Sequence, residues 1–346
     1  MSARLRLWVL VMLALMSVFI VPALYAQHAP ATLTETSRRA VVEVAARMLR
    51  ERYVFPDVGG QAAKAIESAL GAGRYDELER PVAFAQRLTE DLRSIARDKH
   101  LRVSAPGAAT AAPPRVAPRA EGGVTRADIL DGNVGYIEVV GFPPPNAFNG
   151  PVNRAMAALQ KTRALIVDVR RNGGGSPMTV SYLVSYFLRG GERVHINTFI
   201  SRIPGTETFR SQEFWSESTP FSYAGKPVFV LTSGGTFSGG EEFAYDVQVM
   251  NLGKVVGETT GGGANPGGTV PLAAGLTMFV PGGRARNPIT GTNWEGVGVK
   301  PDIAVASETA LKAALEQLGV SSAGVEIDML SRSRVFEPGG EARGKP

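Results

Sequence analysis

Four apolar residues, Val228-Phe229-Val230-Leu231, run into a cluster of small residues ending at Ser238. Glu241, Glu242, Phe243, Ala244 and Val247 then open a helical pattern. The stretch predicts a buried strand, a Gly-rich turn and a helix start in direct succession. That order is what a serine nucleophile needs. The turn exposes the hydroxyl, and the free N–H groups at the helix N-terminus face developing negative charge. Ser238 is therefore the candidate nucleophile. The same residues, Ser238-Gly239-Gly240-Glu241, also fit a capping box, in which the serine only closes a helix start.

A second apolar run, Ala164 to Val169, reads as a strand covered on both faces, and it leads into the loop Arg170-Arg171-Asn172-Gly173-Gly174-Gly175. Strands and helices alternate from Val124 onward. Strands are expected at 135–140, 193–200, 255–258 and 276–280, and helices at 151–161, 178–188 and 308–318. The segment through Trp215 reads as a polar excursion, and 261–268 as a flexible Gly-rich loop. This alternation predicts an α/β layer architecture over residues 124–319. Ahead of it, helical spacing at Val41, Val44, Ala45, Met48 and Leu49, and again over 61–70 and 81–96, predicts a small helical domain over 34–104. Residues 105–123, rich in Ala, Pro and Gly, read as a linker, and 320–346 as a loosely held tail.

Residues 1–26 have the form of an export signal. Arg4 and Arg6 precede the apolar run Leu7 to Val21, and small residues close it at Ala26. The run is shorter than a spanning helix needs, so cleavage after Ala26 and an exported protein, periplasmic or secreted, are expected without stable membrane insertion. The chain has no cysteine, which excludes a disulfide framework and a thiol nucleophile. The net charge of +5 comes from scattered basic residues without aromatic interleaving, so nucleic-acid binding is not expected. Three histidines and no H-E-x-x-H give no metal site, and the triple glycine lacks the spacing of a nucleotide loop. No cofactor is expected.

Four stretches carry a resemblance: Asp98-Lys99-His100-Leu101-Arg102-Val103, Leu165 to Gly175, Thr236 to Phe243, and Trp294 to Ile303. In this order and spacing they resemble the S41 peptidases, which include the tail-specific (C-terminal processing) proteases, the tricorn core and the interphotoreceptor retinoid-binding protein. The resemblance implies a ClpP/crotonase-like α/β core. C-terminal processing peptidases use a Ser–Lys pair, with the lysine in the Gly-rich loop after the serine helix, and carry a PDZ domain. Here that loop is Gly257 to Gly263 with glycine at the expected lysine position, and the 105–123 linker is too short for a PDZ domain. The chain therefore looks like the branch of tricorn and the retinoid-binding repeats, in which a histidine is the base and a glutamate orients it.

On that resemblance, His100 is the expected base, titrating near working pH, and Glu295 the expected orienter. Asp98 is the local alternative to Glu295, and Asp302 a further carboxylate of the same motif. Gly239 and Gly174 are the expected oxyanion donors. The implied activity is hydrolysis of polypeptides through an acyl-enzyme, with substrate between the two domains and His195, Phe199 or Trp215 near the pocket. The competing expectation is a binding protein for an apolar ligand or peptide, since fold does not fix function. Oligomeric state has no signal in the sequence.

Overall fold

The structure is a computed structural model that describes residues 32–106, 120–191 and 193–321. The expected leader, residues 107–119 of the linker and the tail beyond 321 lie outside the described residues. No helix among the described residues is long and apolar enough to cross a membrane.

The described residues begin with three helices, α1 (Glu35–Arg52), α2 (Pro56–Gly71) and α3 (Pro81–Ala96). Thr34 caps α1, its hydroxyl accepting from the Ser37 N–H at 3.2 Å. Pro56 and Pro81 stand at the first turns of α2 and α3, where a missing N–H costs nothing. Pro56 thus starts α2 five residues before the helical spacing expected over 61–70. Val41, Ala45, Leu49, Ile66, Leu88 and Leu92 are fully buried in the unit's core. Arg97, in the left-handed conformation at φ 54°, ends α3 and turns the chain through Asp98 and His100 into β1 (Arg102–Ser104).

The second part contributes β2 (Val124–Leu130), β3 (Val134–Val139), α4 (Pro145–Leu159), β4 (Ala164–Asp168), α5 (Pro177–Ser185), β5 (His195–Arg202), β6 (Phe209–Trp215), β7 (Val228–Thr232), α6 (Gly239–Val249), β8 (Lys254–Gly257), β9 (Gly267–Pro271), β10 (Thr277–Pro281), β11 (Gly283–Arg286), β12 (Ile303–Ala304) and α7 (Ala310–Gln317). Its central sheet has the order β12-β8-β7-β4-β3-β2, parallel throughout except that β2 runs antiparallel to β3. β4 and β7 lie in the middle and are buried at every position. Alternation along them serves two cores. Leu165, Val167, Val228 and Val230 pack with α4, α5 and α6. Ile166, Phe229 and Leu231 pack with α7 on the other face. The α/β class read from the two apolar runs is the class observed.

Two small antiparallel sheets complete the fold, β11-β5-β6 and β1-β10-β9. The second joins the parts: Val103 of β1 pairs with Met278 of β10. Val270, Leu272, Leu276, Met278 and Val280 are buried in the core of the helical unit. The expected flexible loop therefore ends in a paired strand. At Gly267 an added Cβ would lie 2.2 Å from the Val280 carbonyl oxygen, so only glycine admits this approach. The segment read as a polar excursion contains strand β6, which is exposed along most of its length and shows no apolar alternation.

Candidate active site

β7 delivers the chain to a turn stitched onto the loop that follows β4. Ser233 Oγ donates to the Arg170 carbonyl at 2.6 Å, Thr236 Oγ1 to the Val169 carbonyl at 2.9 Å, and the Phe237 N–H to the Asn172 carbonyl at 2.9 Å. The turn ends at Ser238 with φ 55° and ψ −119°, a conformation that non-glycine residues rarely adopt. The Ser238 side chain stands at the Glu241 backbone N–H as one arm of the expected capping box. Glu241 forms the other arm of the expected capping box, accepting from the Ser238 N–H at 2.9 Å.

Glu241 does more than hold the turn. It is fully buried and also accepts from Thr260 Oγ1 at 2.6 Å and from the Gly262 and Gly263 N–H groups at 2.5 and 2.8 Å. One carboxylate thus fastens the Gly-rich loop to the serine turn. Burial pushes its carboxyl above the ordinary range, and the four hydrogen bonds oppose that shift.

The two glycines expected as oxyanion donors sit against Ser238. No intramolecular hydrogen bond among the described residues uses the Gly239 N–H, at the first position of α6. Gly174 requires a correction: its N–H donates to Asn172 Oδ1 at 2.8 Å and is not free. Its part is steric, because a Cβ there would lie 2.7 Å from Ser238 Cβ and 2.9 Å from the Gly239 nitrogen. The next amide, Gly175, likewise donates no hydrogen bond among the described residues, and its nitrogen lies 3.0 Å from where a Gly239 Cβ would stand. Asn172, fully buried, is the residue that sequence reasoning passed over. Its side chain also donates to the Val139 carbonyl at 2.9 Å, so it spaces β3, the glycines and the serine turn. Its place in the Arg-Asn-Gly-Gly-Gly run was the available signal.

His100 comes from the helical unit and is buried between Phe237 and Phe279, with ring centroids 4.6 and 5.7 Å away. Phe237 immediately precedes Ser238, so the imidazole lies beside the serine turn. A Cβ on Gly263 would reach 2.8 Å from His100 Cε1, which explains a glycine there. Burial lowers the imidazole's pKa, and the Asp98 carboxylate opposes this.

Asp98, His100 and Glu295 each offer a ligating atom within 4.8 Å of the others, the one such group of three among the described residues. The two carboxylates are differently engaged. Asp98 Oδ1 accepts from the His100 backbone N–H at 2.9 Å, and Oδ2 from the Tyr53 hydroxyl at 3.2 Å and Asn265 Nδ2 at 2.9 Å. Glu295 Oε2 accepts from the Ala264 N–H at 2.5 Å, while Glu295 Oε1 and His100 Nδ1 are buried without a hydrogen-bond partner among the described residues. Burial, and then the charge of Asp98, push the Glu295 carboxyl up to about 7. Lys99, next to His100, donates to the Gly261 carbonyl at 2.6 Å. Asp302 is elsewhere, accepting from the Val255 N–H at 2.7 Å. His195 stacks on Trp215 at 4.7 Å, in the β5–β6 hairpin.

Residues 133–305 match peptidase family S41, and residues 23–126 match the N-terminal domain of peptidase S41 in eukaryotic interphotoreceptor retinoid-binding protein. The chain belongs to peptidase family S41. Among solved structures it is similar to a protein from Parabacteroides merdae described as a candidate peptidase, at 20% identity and TM-score 0.60, over 82% of this chain and 96% of that one. It is also similar to the photosystem II D1 C-terminal processing protease, at 17% identity and TM-score 0.53, over 84% and 99%. The tricorn protease matches at 16% identity and TM-score 0.54, with 82% of this chain spanning 36% of that one. These likenesses concern the fold.

Proposed function

We propose that the protein is an exported serine peptidase that hydrolyses polypeptides through an acyl-enzyme, with Ser238 as nucleophile, His100 as base and Glu295 as orienter. The observation that carries this reading is the strained turn at Ser238, set beside the Gly239 and Gly175 N–H groups, which donate no hydrogen bond among the described residues. Export rests on the leader-like residues 1–26. The match of residues 23–126 to the retinoid-binding protein's N-terminal domain supports the histidine-based branch.

In this reading the neutral imidazole carries its proton on Nδ1, toward Glu295 Oε1, and takes the serine proton on Nε2. Ser238 Oγ bonds to the scissile carbonyl carbon. The carbonyl oxygen takes up the electron pair and is held by the Gly239 and Gly175 N–H groups. Collapse expels the amine, which leaves with the proton from Nε2, and water then releases the acyl group by the same steps. Glu295 is favoured over Asp98 as orienter because both Asp98 oxygens already accept hydrogen bonds.

A fluorophosphonate probe with peptide mapping tests this. The expected result is a single label on Ser238, absent in Ser238→Ala and strongly slowed in His100→Ala. An unlabelled protein, or a label that survives Ser238→Ala, would remove the nucleophile and leave the binding of an apolar ligand or peptide as the reading.

A further inference from the structure

Asp98, His100 and Glu295 each offer one ligating atom within 4.8 Å of the others, and lone pairs in this group are unspent. His100, only 6% exposed, holds Nδ1 without a hydrogen-bond partner among the described residues, and Glu295 holds Oε1 in the same state. Asp98 Oδ1 accepts one hydrogen bond, from the His100 backbone N–H, where a carboxylate oxygen can take two. Among the described residues no lysine or arginine forms an ion pair with either carboxylate. The neighbouring Lys99 donates to the Gly261 carbonyl, and Arg93 to the Leu101 and Lys99 carbonyls. Two carboxyl groups and an imidazole lone pair therefore share a space that no protein cation enters.

The carboxylates are also held from outside. Tyr53 Oη and Asn265 Nδ2 donate to Asp98 Oδ2, and the Ala264 N–H donates to Glu295 Oε2. Hydrogen bonds of this kind aim the ligands of a metal ion. One imidazole and two carboxylates suit zinc, which takes nitrogen and oxygen ligands in a four-coordinate shell and here keeps one position for water. Calcium takes six or more oxygens, and magnesium an octahedral shell, which this group does not supply. Zinc bonds of about 2.1 Å put tetrahedral ligand atoms about 3.4 Å apart. Glu295 is the ligand that closes the remaining distance. It stands on a turn whose next residues, Gly296 and Val297, are exposed, and that turn also gives an ion its way in.

We propose that Asp98, His100 and Glu295 form an inhibitory zinc site, in which a bound Zn²⁺ silences the histidine as a base. The silencing rests on the serine-peptidase reading above, whereas the metal site does not. Zinc takes the Nδ1 lone pair, and the single proton of the neutral imidazole then sits on Nε2. A protonated Nε2 has no lone pair to accept the serine proton, so the Ser238 hydroxyl keeps it. Zinc also takes Glu295 Oε1, the atom that would otherwise orient the ring. One ion thus reverses the tautomer on which the proposed mechanism depends.

Two measurements on the whole protein test this. Equilibrium dialysis against Zn²⁺ should show one ion per chain, with binding weakened about 100-fold or more in His100→Ala and in Glu295→Gln, and roughly 10-fold in Tyr53→Phe. Glu295 is half-buried on its turn, so E295Q decides the matter if H100A fails to fold. His195→Ala, in the β5–β6 hairpin, should bind zinc as the parent does, and Mg²⁺ or Ca²⁺ should not displace it. At saturating Zn²⁺ the rate at which a fluorophosphonate labels Ser238 should fall by about 100-fold and recover on adding EDTA. No bound zinc, binding unchanged in a folded E295Q, or an unchanged labelling rate at saturation would overturn the proposal while leaving the peptidase reading intact. A protein that is not labelled even without zinc would remove the peptidase reading and the silencing, and the dialysis would still decide the metal site.

Discussion

His100 Nδ1 and Glu295 Oε1 are both buried and both without a hydrogen-bond partner among the described residues, although the two side chains offer ligating atoms within 4.8 Å of one another. An imidazole and a carboxyl held this way lack only the hydrogen bond that an imidazolium would strengthen. In the proposed mechanism that bond gains strength when the imidazole takes up the serine proton.

Glu295 gives this pair a pH signature. Its carboxyl is pushed up to about 7, whereas burial lowers the imidazole's pKa. The Glu295 carboxyl is therefore the later of the two to lose its proton as pH rises, and if it orients His100 as proposed, kcat/KM should climb through about pH 7. Glu295→Gln should lower kcat/KM by on the order of 10²-fold or more and abolish that limb. A mutant profile with the same midpoint would assign the limb to another group.

Asp98 acts on the same limb from a distance. Its charge raises the Glu295 pKa, so Asp98→Asn should move the rise in activity to lower pH rather than remove it. The substitution also turns one acceptor into a donor facing His100 N–H or Asn265 Nδ2, at a cost of roughly 1–3 kcal/mol. Chemical denaturation and a pH–rate profile on the same variant separate the two effects.

The glycine loop offers an internal control. A Cβ at Gly174, where φ is 108°, collides with Ser238, while one at Gly173 meets nothing within 4 Å. Gly174→Ala should lose stability on the order of 1–3 kcal/mol and lose labelling of Ser238. Gly173→Ala should stay within about 0.5 kcal/mol of the parent. Equal melting temperatures for the two would contradict the packing described.

Behind Ser238, α6 carries a buried acid pair that the proposed chemistry does not use. Asn197 Nδ2 donates to Glu242 at 2.9 Å and Asn287 Nδ2 to Asp246 at 3.1 Å. Burial raises the Glu242 carboxyl to about 7, and burial with the Glu242 charge raises Asp246 well above the ordinary range. Both pKa values lie above their unfolded values, so the folded state keeps protons that the unfolded chain releases. The pair's contribution is full below about pH 4 and is lost as pH rises through 7. Stability should therefore fall between pH 5 and pH 8, and fall less steeply in Glu242→Gln, as read by urea melts across that range.

What could be read from the sequence divides along physical lines. β4 and β7 were legible because a strand covered on both faces must be apolar at every position. β6 was not, since its exposed residues carry no alternation. α4 was expected from Pro151, read as a helix start, but it begins at Pro145 with Pro151 inside it. There the Ala147 carbonyl, which would have accepted from residue 151, faces Gly122, where a Cβ would stand only 2.3 Å away. A packing partner of that kind cannot be seen in local spacing. Ser238 stood out through its local turn, whereas placing His100 and Glu295 in one site needed the family resemblance. Which glycine amide is free depends on the path of one loop around the Asn172 side chain, and composition cannot give that.

The pairing of β1 with β10 has a consequence for any attempt to work with half of this molecule. Val270, Leu276, Met278 and Val280 find their apolar neighbours in residues 33–105, so a fragment starting at residue 120 would offer these side chains to water along with an unpaired strand edge. The N-terminal helices and β1 cover apolar surface that the rest of the chain would otherwise expose. Supplied as a separate polypeptide, they should rescue the solubility of the larger fragment and bring its missing histidine with them.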